Sequence, residues 1–217
     1  MRWMNPLLLV LATAALALAA AARPRASPTD AAPPPAVVFL VRHAEKAPAP
    51  PKDPALTEVG ATRALALRDL LADAGVTHLF ASEFVRTQAT VAPLAQRLGK
   101  EVVVFGAARP EELLAQLRAL PAGAVAVVAG HSNTIPALVR ALGGGRGDAA
   151  HGAAGGADGA AGADVLAGTT QGSSGEQFPD DEYGRLIQLV LAPPPSGAPV
   201  GTAPTLLRAL RLHVGAR

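Results

Sequence analysis

The sequence contains no cysteine, few aromatic residues and almost no net charge. Without cysteine the chain can form no disulfide, no thiolate metal site and no thiol nucleophile. Aromatic residues make up only 3%, so small and aliphatic side chains must fill the core. A net charge of +2, spread over scattered basic residues, argues against a nucleic-acid groove. The 217 residues are enough for one domain of ordinary size.

A long uncharged apolar run is present near the N-terminus. Arg2 precedes Leu7–Ala22, which contains only Leu, Ala, Val and one Thr. The run is shorter than the ~20 residues that a membrane-spanning helix needs, and it ends in the small residues typical of a signal-peptide cleavage site. We therefore expect residues 1–22 to be a signal peptide. The protein is then exported to the periplasm or the extracellular space, with no stable membrane insertion after processing. An uncleaved N-terminal membrane anchor is the alternative.

The rest of the chain has the pattern of an α/β domain. Pro, Ala and Ser dominate residues 23–36, which we interpret as a linker, so that the domain covers residues 37–217. Short apolar runs then alternate with helical periodicities such as that of Leu56–Ala74. This predicts a three-layer sandwich, with a mixed, mainly parallel sheet between helices. The last two apolar runs, Leu186–Leu191 and Leu206–Val214, are expected to pair antiparallel.

A low-complexity insertion interrupts this pattern. Gly143–Glu176 consists mainly of Gly, Ala, Asp, Ser and Thr. The segment exceeds the ~12–15 residues above which structureless loops become uncommon. Its composition offers too little apolar surface to offset the entropy of ordering it. We expect a disordered surface insertion with almost nothing to bury against the core.

Cationic and imidazole side chains follow three of the predicted strands. Arg42 and His43 end the first strand, Arg86 follows the second, and His131 follows the fourth. Ligands of open α/β sheets bind beyond the carboxyl ends of the strands, so we expect these side chains to converge. Arginine offers paired donors to phosphoryl oxygens, and a histidine with one unprotonated nitrogen can attack phosphorus. The pattern indicates a site for a phosphate-like anion.

The order and spacing of several segments resemble the histidine phosphatase superfamily. They are LVRHAEK, DPALTEVGATRALALRDLL, SEFVRTQATVAPLA and GHSNTIPALV, and the resemblance resumes at DDEYGRLIQLVL and TLLRALRLHV. It implies a phosphoglycerate mutase-like fold. It also implies a phosphatase that hydrolyses a phosphate monoester or phosphoramidate of a small substrate through a covalent phosphohistidine, without metal or cofactor. A non-catalytic phosphate-ligand-binding module and a phosphomutase remain alternatives.

The resemblance also implies a role for each residue at the strand ends. His43 corresponds to the nucleophile, and Arg42 and Arg86 correspond to the arginines that bind the phosphate. His131 corresponds to the second catalytic histidine, which binds the phosphoryl oxygens.

The acid that protonates the leaving group is not identified by the sequence. Ser132 stands where one branch of the superfamily has an aspartate, so the chain resembles the other branch. The candidate acids are Glu111, Glu112, Glu83 and Glu101. The sequence carries no indication of the oligomeric state.

Overall fold

The computed structural model describes residues 32–143, 165–172, 175–199 and 201–215. The expected signal peptide, most of the expected linker and insertion residues 144–164 lie outside these ranges. Export and the division of the chain into these segments therefore remain predictions from the sequence. Within the described residues, no helix has the length and apolar character that crossing a membrane requires.

The described residues form four helices and eight strands in the predicted alternation. The strands are β1 (Ala36–Arg42), β2 (His78–Ser82), β3 (Val102–Phe105), β4 (Val125–Gly130), β5 (Thr170–Gly172), β6 (Gly175–Gln177), β7 (Arg185–Ala192) and β8 (Thr205–His213). The helices are α1 (Glu58–Leu71), α2 (Val85–Leu98), α3 (Pro110–Arg118) and α4 (Thr134–Ala141).

Six strands form one mixed sheet in the order β3-β2-β4-β1-β7-β8. The first four strands along the chain run parallel, so their carboxyl ends meet at one edge of the sheet. The strands β7 and β8 pair antiparallel, as the sequence predicts, and β7 is antiparallel to β1. Ala36, expected to end the linker, already pairs with Leu191 in the sheet.

Alternating side chains of the sheet face two separate cores. In β1, Val38 and Leu40 belong to one buried cluster, whereas Phe39 and Val41 belong to the other. Residues of α3 and α4 cover the first cluster, and residues of α1 and α2 cover the second. A strand points successive side chains to opposite faces, so continuous apolar runs indicate burial on both sides. The predicted three-layer sandwich is confirmed.

The carboxyl end of the insertion differs from the expectation of a segment without core contacts. Val165 and Leu166 are each only 2% exposed and belong to the core cluster under α3 and α4. Strands β5 and β6 follow as a small antiparallel hairpin, and Glu176 pairs with Arg140 of α4. Composition averaged over the whole insertion hides this contact, because two adjacent apolar residues are enough to anchor a segment.

Replacing Leu166 by Ala is expected to lower the free energy of unfolding by about 2–5 kcal/mol, since a buried leucine would be lost and a cavity left. Denaturant unfolding followed by circular dichroism measures the change. Leu207→Ala is the matched control, because Leu207 is 58% exposed and its truncation should change stability by no more than about 0.5 kcal/mol. Equal effects of the two substitutions would contradict the packing of the insertion against the core.

Candidate active site

The four residues singled out at the strand ends lie together at one edge of the sheet. Arg42 ends β1, and the backbone N–H of His43 donates to the carbonyl of Gly130 at the end of β4 (2.9 Å). His131 directly follows Gly130, and the centroid of its ring lies 5.4 Å from the centroid of the His43 ring. Nη2 of Arg86, in the first turn of α2, is 3.4 Å from Nδ1 of His131. The structure therefore brings the four predicted site residues into one cluster.

His43 is a buried, neutral imidazole with a defined tautomer. Its Nδ1 lies 2.8 Å from the carbonyl oxygen of Ala44, which can only accept, so Nδ1 carries the proton. The pKa of His43 is lowered to about 3, mainly by burial and also by the nearby Arg42, His131 and Arg86, while the hydrogen bond to Ala44 opposes the shift. Near neutral pH, Nε2 therefore has a free lone pair.

A chain of hydroxyl groups orients His131. Thr87 Oγ1 donates to the carbonyl of Phe84 (2.7 Å) and therefore accepts from Ser82 Oγ, which lies 2.8 Å away. Ser82 Oγ then accepts from Nε2–H of His131 at 2.8 Å. This arrangement leaves Nδ1 unprotonated and facing Arg86. Burial lowers the pKa of His131 to about 4, and the charge of Arg86 contributes to the shift.

Backbone carbonyls of residues 178–183, which we call the strap, hold the guanidinium of Arg42. Nη1 donates to the carbonyls of Pro179 (2.7 Å), Asp180 (3.2 Å) and Glu182 (3.2 Å). The ring of Tyr183 stacks 4.3 Å from the guanidinium carbon. The ion pair with Asp180 is long, at 3.7 Å, and that carboxylate is 95% exposed. The positive charge of Arg42 is therefore only weakly compensated by a carboxylate and remains available to attract an anionic ligand.

Arg86 is held by an aromatic ring and a distant carboxylate. Its guanidinium lies 4.4 Å above the ring of Phe84, and its Nη1 is 3.4 Å from Asp53. Burial lowers the pKa of both Arg42 and Arg86 from the ordinary value. Among the described residues, the buried side-chain polar atoms without any hydrogen-bond partner are Nε of Arg42 and Nε of Arg86. A buried donor without an acceptor costs about 1–3 kcal/mol, so both arginines lack acceptors that an anion would provide.

Sequence reasoning missed several residues that support the cluster. Tyr183 and Glu182 contact Arg42 across more than 130 positions of sequence, so no local pattern could assign them. Tyr183 lies in the motif DDEYGRL, whose resemblance to the family gave it no role. Asp53, which precedes the first helix, and Ser82, at the end of β2, carried no recognisable signal either.

One of the four candidate acids lies near the cluster. A cleft of about 500 Å³ opens beside Arg86 and His131, and Glu83 lines it. One carboxylate oxygen of Glu83 accepts from the backbone N–H of Ala107 at 2.7 Å. Glu101, Glu111 and Glu112 are exposed and do not line this cleft. In the part of the chain that the structure describes, no group of three or more His, Cys, Asp or Glu side chains could hold a metal ion.

The sequence between residues 38 and 107 matches the model of the histidine phosphatase superfamily (branch 1). This segment contains Arg42, His43 and Arg86. The resemblance that the motifs indicate is therefore confirmed for this part of the chain. No curated protein matches the chain.

Several solved structures are similar to this chain in fold. "Mycobacterial hydrolase 2" aligns with a TM-score of 0.53 and 16% identity, over 80% of this chain and 88% of its own. A protein histidine phosphatase SixA complexed with tungstate aligns with a TM-score of 0.50 and 16% identity, over 80% and 96%. A putative phosphohistidine phosphatase SixA from Agrobacterium tumefaciens is 28% identical, with a TM-score of 0.44, over 50% of this chain and 77% of its own. The first two confirm the mainly parallel, phosphoglycerate mutase-like α/β fold.

The lowered histidine pKa values predict a pH dependence of stability. An unfolded histidine titrates near pH ~6.5, whereas the pKa of folded His43 is about 3 and that of His131 about 4. Between these values the unfolded chain binds more protons, so the free energy of unfolding falls as the pH drops below ~6.5. The free energy of unfolding, measured with urea between pH 4.5 and 7.5, should depend less steeply on pH in His43→Gln than in the wild type. The same dependence on pH in both proteins would contradict a buried neutral His43.

Proposed function

We propose that the protein is a phosphatase whose His43 accepts the phosphoryl group as a covalent phosphohistidine, without a metal ion. One observation carries the proposal: a neutral imidazole with a free Nε2 lies beside the buried Arg42 and the half-buried Arg86, and the Nε atom of each arginine is buried without a partner. A phosphoryl group is the ligand that would use both features at once. It offers negative oxygens to the arginines and an electrophilic atom to the imidazole.

In the first step, Nε2 of His43 attacks phosphorus and the bond from phosphorus to the leaving oxygen breaks. Charge develops on the three equatorial oxygens, and Arg42 and Arg86 are placed to stabilise it. Their positions are fixed before substrate binds, Arg42 by the strap and Arg86 by Phe84. Preorganised donors need no rearrangement as the charge forms, which is how such groups accelerate a reaction.

His131 changes its role once the anion is bound. A phosphoryl dianion beside the imidazole favours the protonated form, which opposes the effects that lower its pKa in the free protein. Protonated Nδ1 then donates towards the site, while Nε2–H stays on Ser82. His131 thereby binds a phosphoryl oxygen in the transition state.

The leaving oxygen needs a proton, and Glu83 is the candidate donor that lines the cleft. In the second step, water attacks phosphorus and gives a proton to the Glu83 carboxylate, the bond between phosphorus and Nε2 of His43 breaks, and inorganic phosphate leaves. His43 returns to its neutral form, so no net oxidant, metal or cofactor is required. The tungstate complex of the protein histidine phosphatase SixA, which has the same fold, supports an oxyanion as the ligand.

Rapid quenching of the wild type with ³²P-labelled substrate is expected to trap a phosphoryl adduct that is acid-labile and base-stable, as a phosphoramidate on imidazole should be. His43→Ala should abolish both adduct and turnover, because Nε2 is the acceptor. His78→Ala is the control, since His78 lies at the opposite end of β2 from the cluster.

Three results would contradict the proposed function. An adduct of equal yield in His43→Ala would place the phosphoryl group elsewhere. Binding of phosphate by the wild type without turnover of any phosphate ester would identify a non-catalytic binding module instead. Transfer of the phosphoryl group to a second hydroxyl in preference to water would identify a mutase.

Replacing Arg86 by Lys is expected to lower kcat on the order of 10²-fold. Lysine keeps the charge but loses the paired donors that hold two phosphoryl oxygens, and the loss of one preorganised donor has an effect of this size. Steady-state kinetics separates kcat from KM. Arg109→Lys is the control, because Arg109 is exposed and pairs with Glu112 away from the cluster. Added chelator should leave wild-type activity intact, and an unchanged kcat in Arg86→Lys would exclude a direct role.

A further inference from the structure

The cleft beside Arg86 and His131 extends well beyond the space that a phosphoryl group fills. Its volume of about 500 Å³ lies within the range of small-molecule sites. Beyond Arg86 and His131, the polar residues that line the cleft are Ser132, Asn133, Thr134, Gln177 and Glu83, and Phe84, Ala107 and Ala108 complete its lining. This outer part of the cleft would contact the leaving group, which is the part of the substrate that carries the phosphate.

Three neutral polar side chains in this outer part have no partners within the described residues. Asn133 stands at the start of α4, yet its side chain makes no capping hydrogen bond. Ser132 and Gln177 make no side-chain hydrogen bond to any described residue either. All three are half-buried, so their donors and acceptors are only partly served by water. Half-buried amides without partners suit a ligand that carries both donors and acceptors.

The side chain of Gln177 is held in place by the local fold. Gln177 pairs with Thr170 across the β5–β6 hairpin, and its side chain lies over Gly172, where an added Cβ would lie 2.4 Å from the amide carbon of Gln177. The following residue, Phe178, is fully buried, and its backbone N–H donates to the carbonyl of Ser132 at 2.9 Å. The hairpin is thereby fastened to the same turn that carries Asn133. The two amides therefore line the same cleft.

The charge of the cleft limits the kind of leaving group. Among the described residues that line it, Arg86 is the cationic side chain, and the phosphoryl group occupies it. His131 gains its proton only when the phosphoryl group binds, and that charge is directed at a phosphoryl oxygen. A carboxylate or a second phosphate on the leaving group would find no counter-charge there, and burying an unpaired charge is costly. The outer cleft therefore favours a polar, uncharged leaving group.

We propose that Ser132, Asn133 and Gln177 form a subsite for a small, uncharged, hydroxyl-bearing leaving group, so that the substrate is a polyol or sugar phosphate. This inference rests on the proposed phosphatase function and deepens it. Hydroxyl groups both donate and accept, as the free amides and the free hydroxyl require. Gln177 directly follows the insertion, in the hairpin strand that the insertion enters, so this part of the chain would supply a specificity residue.

The test compares substrates that share a phosphate and differ in the leaving group. The kcat/KM of the full-length protein is measured with p-nitrophenyl phosphate, glycerol 1-phosphate, glucose 6-phosphate, 3-phosphoglycerate and a phosphohistidine peptide. The wild type should use a polyol or sugar phosphate at least about tenfold better than 3-phosphoglycerate or the peptide. Each neutral hydrogen bond lost typically reduces binding three- to tenfold or so. Asn133→Ala with Gln177→Ala should therefore lower the kcat/KM ratio of polyol phosphate to aryl phosphate by roughly 10–100-fold.

Gln171→Ala is the matched control, because Gln171 is exposed on the same hairpin and does not line the cleft. In Gln171→Ala, the kcat/KM ratio of polyol phosphate to aryl phosphate should equal that of the wild type. Thermal unfolding should show that all variants fold. If the double variant fails to fold, the two single variants decide. A parallel loss on aryl and polyol phosphates would overturn the subsite, as would a preference for 3-phosphoglycerate or the peptide. If the wild type hydrolyses none of these compounds, aryl phosphate included, the phosphatase function itself fails and the subsite falls with it.

Discussion

Two guanidinium groups are buried at the carboxyl edge of the sheet without a buried carboxylate to neutralise them, and the chemistry of the cluster depends on this constraint. Arg42 is held mainly by backbone carbonyls and Arg86 mainly by a ring face, so both keep their charge. That charge, added to burial, keeps His43 and His131 neutral. An anion relieves both costs, since it supplies the missing acceptors and balances the charge.

The strap links this constraint to parts of the chain that lie far from the cluster in sequence. The carbonyl of Glu182 accepts from Arg42, while its carboxylate pairs with Arg185 (2.7 Å) and Arg211 (2.9 Å). Arg185 is 2% exposed and also donates to the carbonyl of Ala167 at 2.9 Å. One partly buried ionic network, centred on the buried Arg185, therefore fastens the end of the insertion, the strap and the last two strands to one another. Removing either partner of such a pair is costly, because it leaves a buried charge alone.

The sequence predicted the layers of the fold and the four residues of the cluster because both follow from local rules. Buried parallel strands appear as continuous apolar runs, and polar residues such as His43 and His131 directly after them lie at the ligand-binding edge. The supports of the cluster could not be predicted in this way. Tyr183 reaches Arg42 only through the folded sheet, and Ser82 resembles any strand-terminal serine until the ring of His131 is placed beside it.

Because of the strap, the residues needed to build the site extend well beyond the recognisable sequence motifs. The family match ends at residue 107 and the last predicted site residue is His131, yet the carbonyls that cage Arg42 come from residues 179–182. A fragment ending after α4 would hold every motif residue and leave this guanidinium without its scaffold. Anyone grafting the site onto another protein would therefore have to transplant two segments that the sequence keeps far apart. The signature alone would transfer the reactive groups without the geometry that makes them useful.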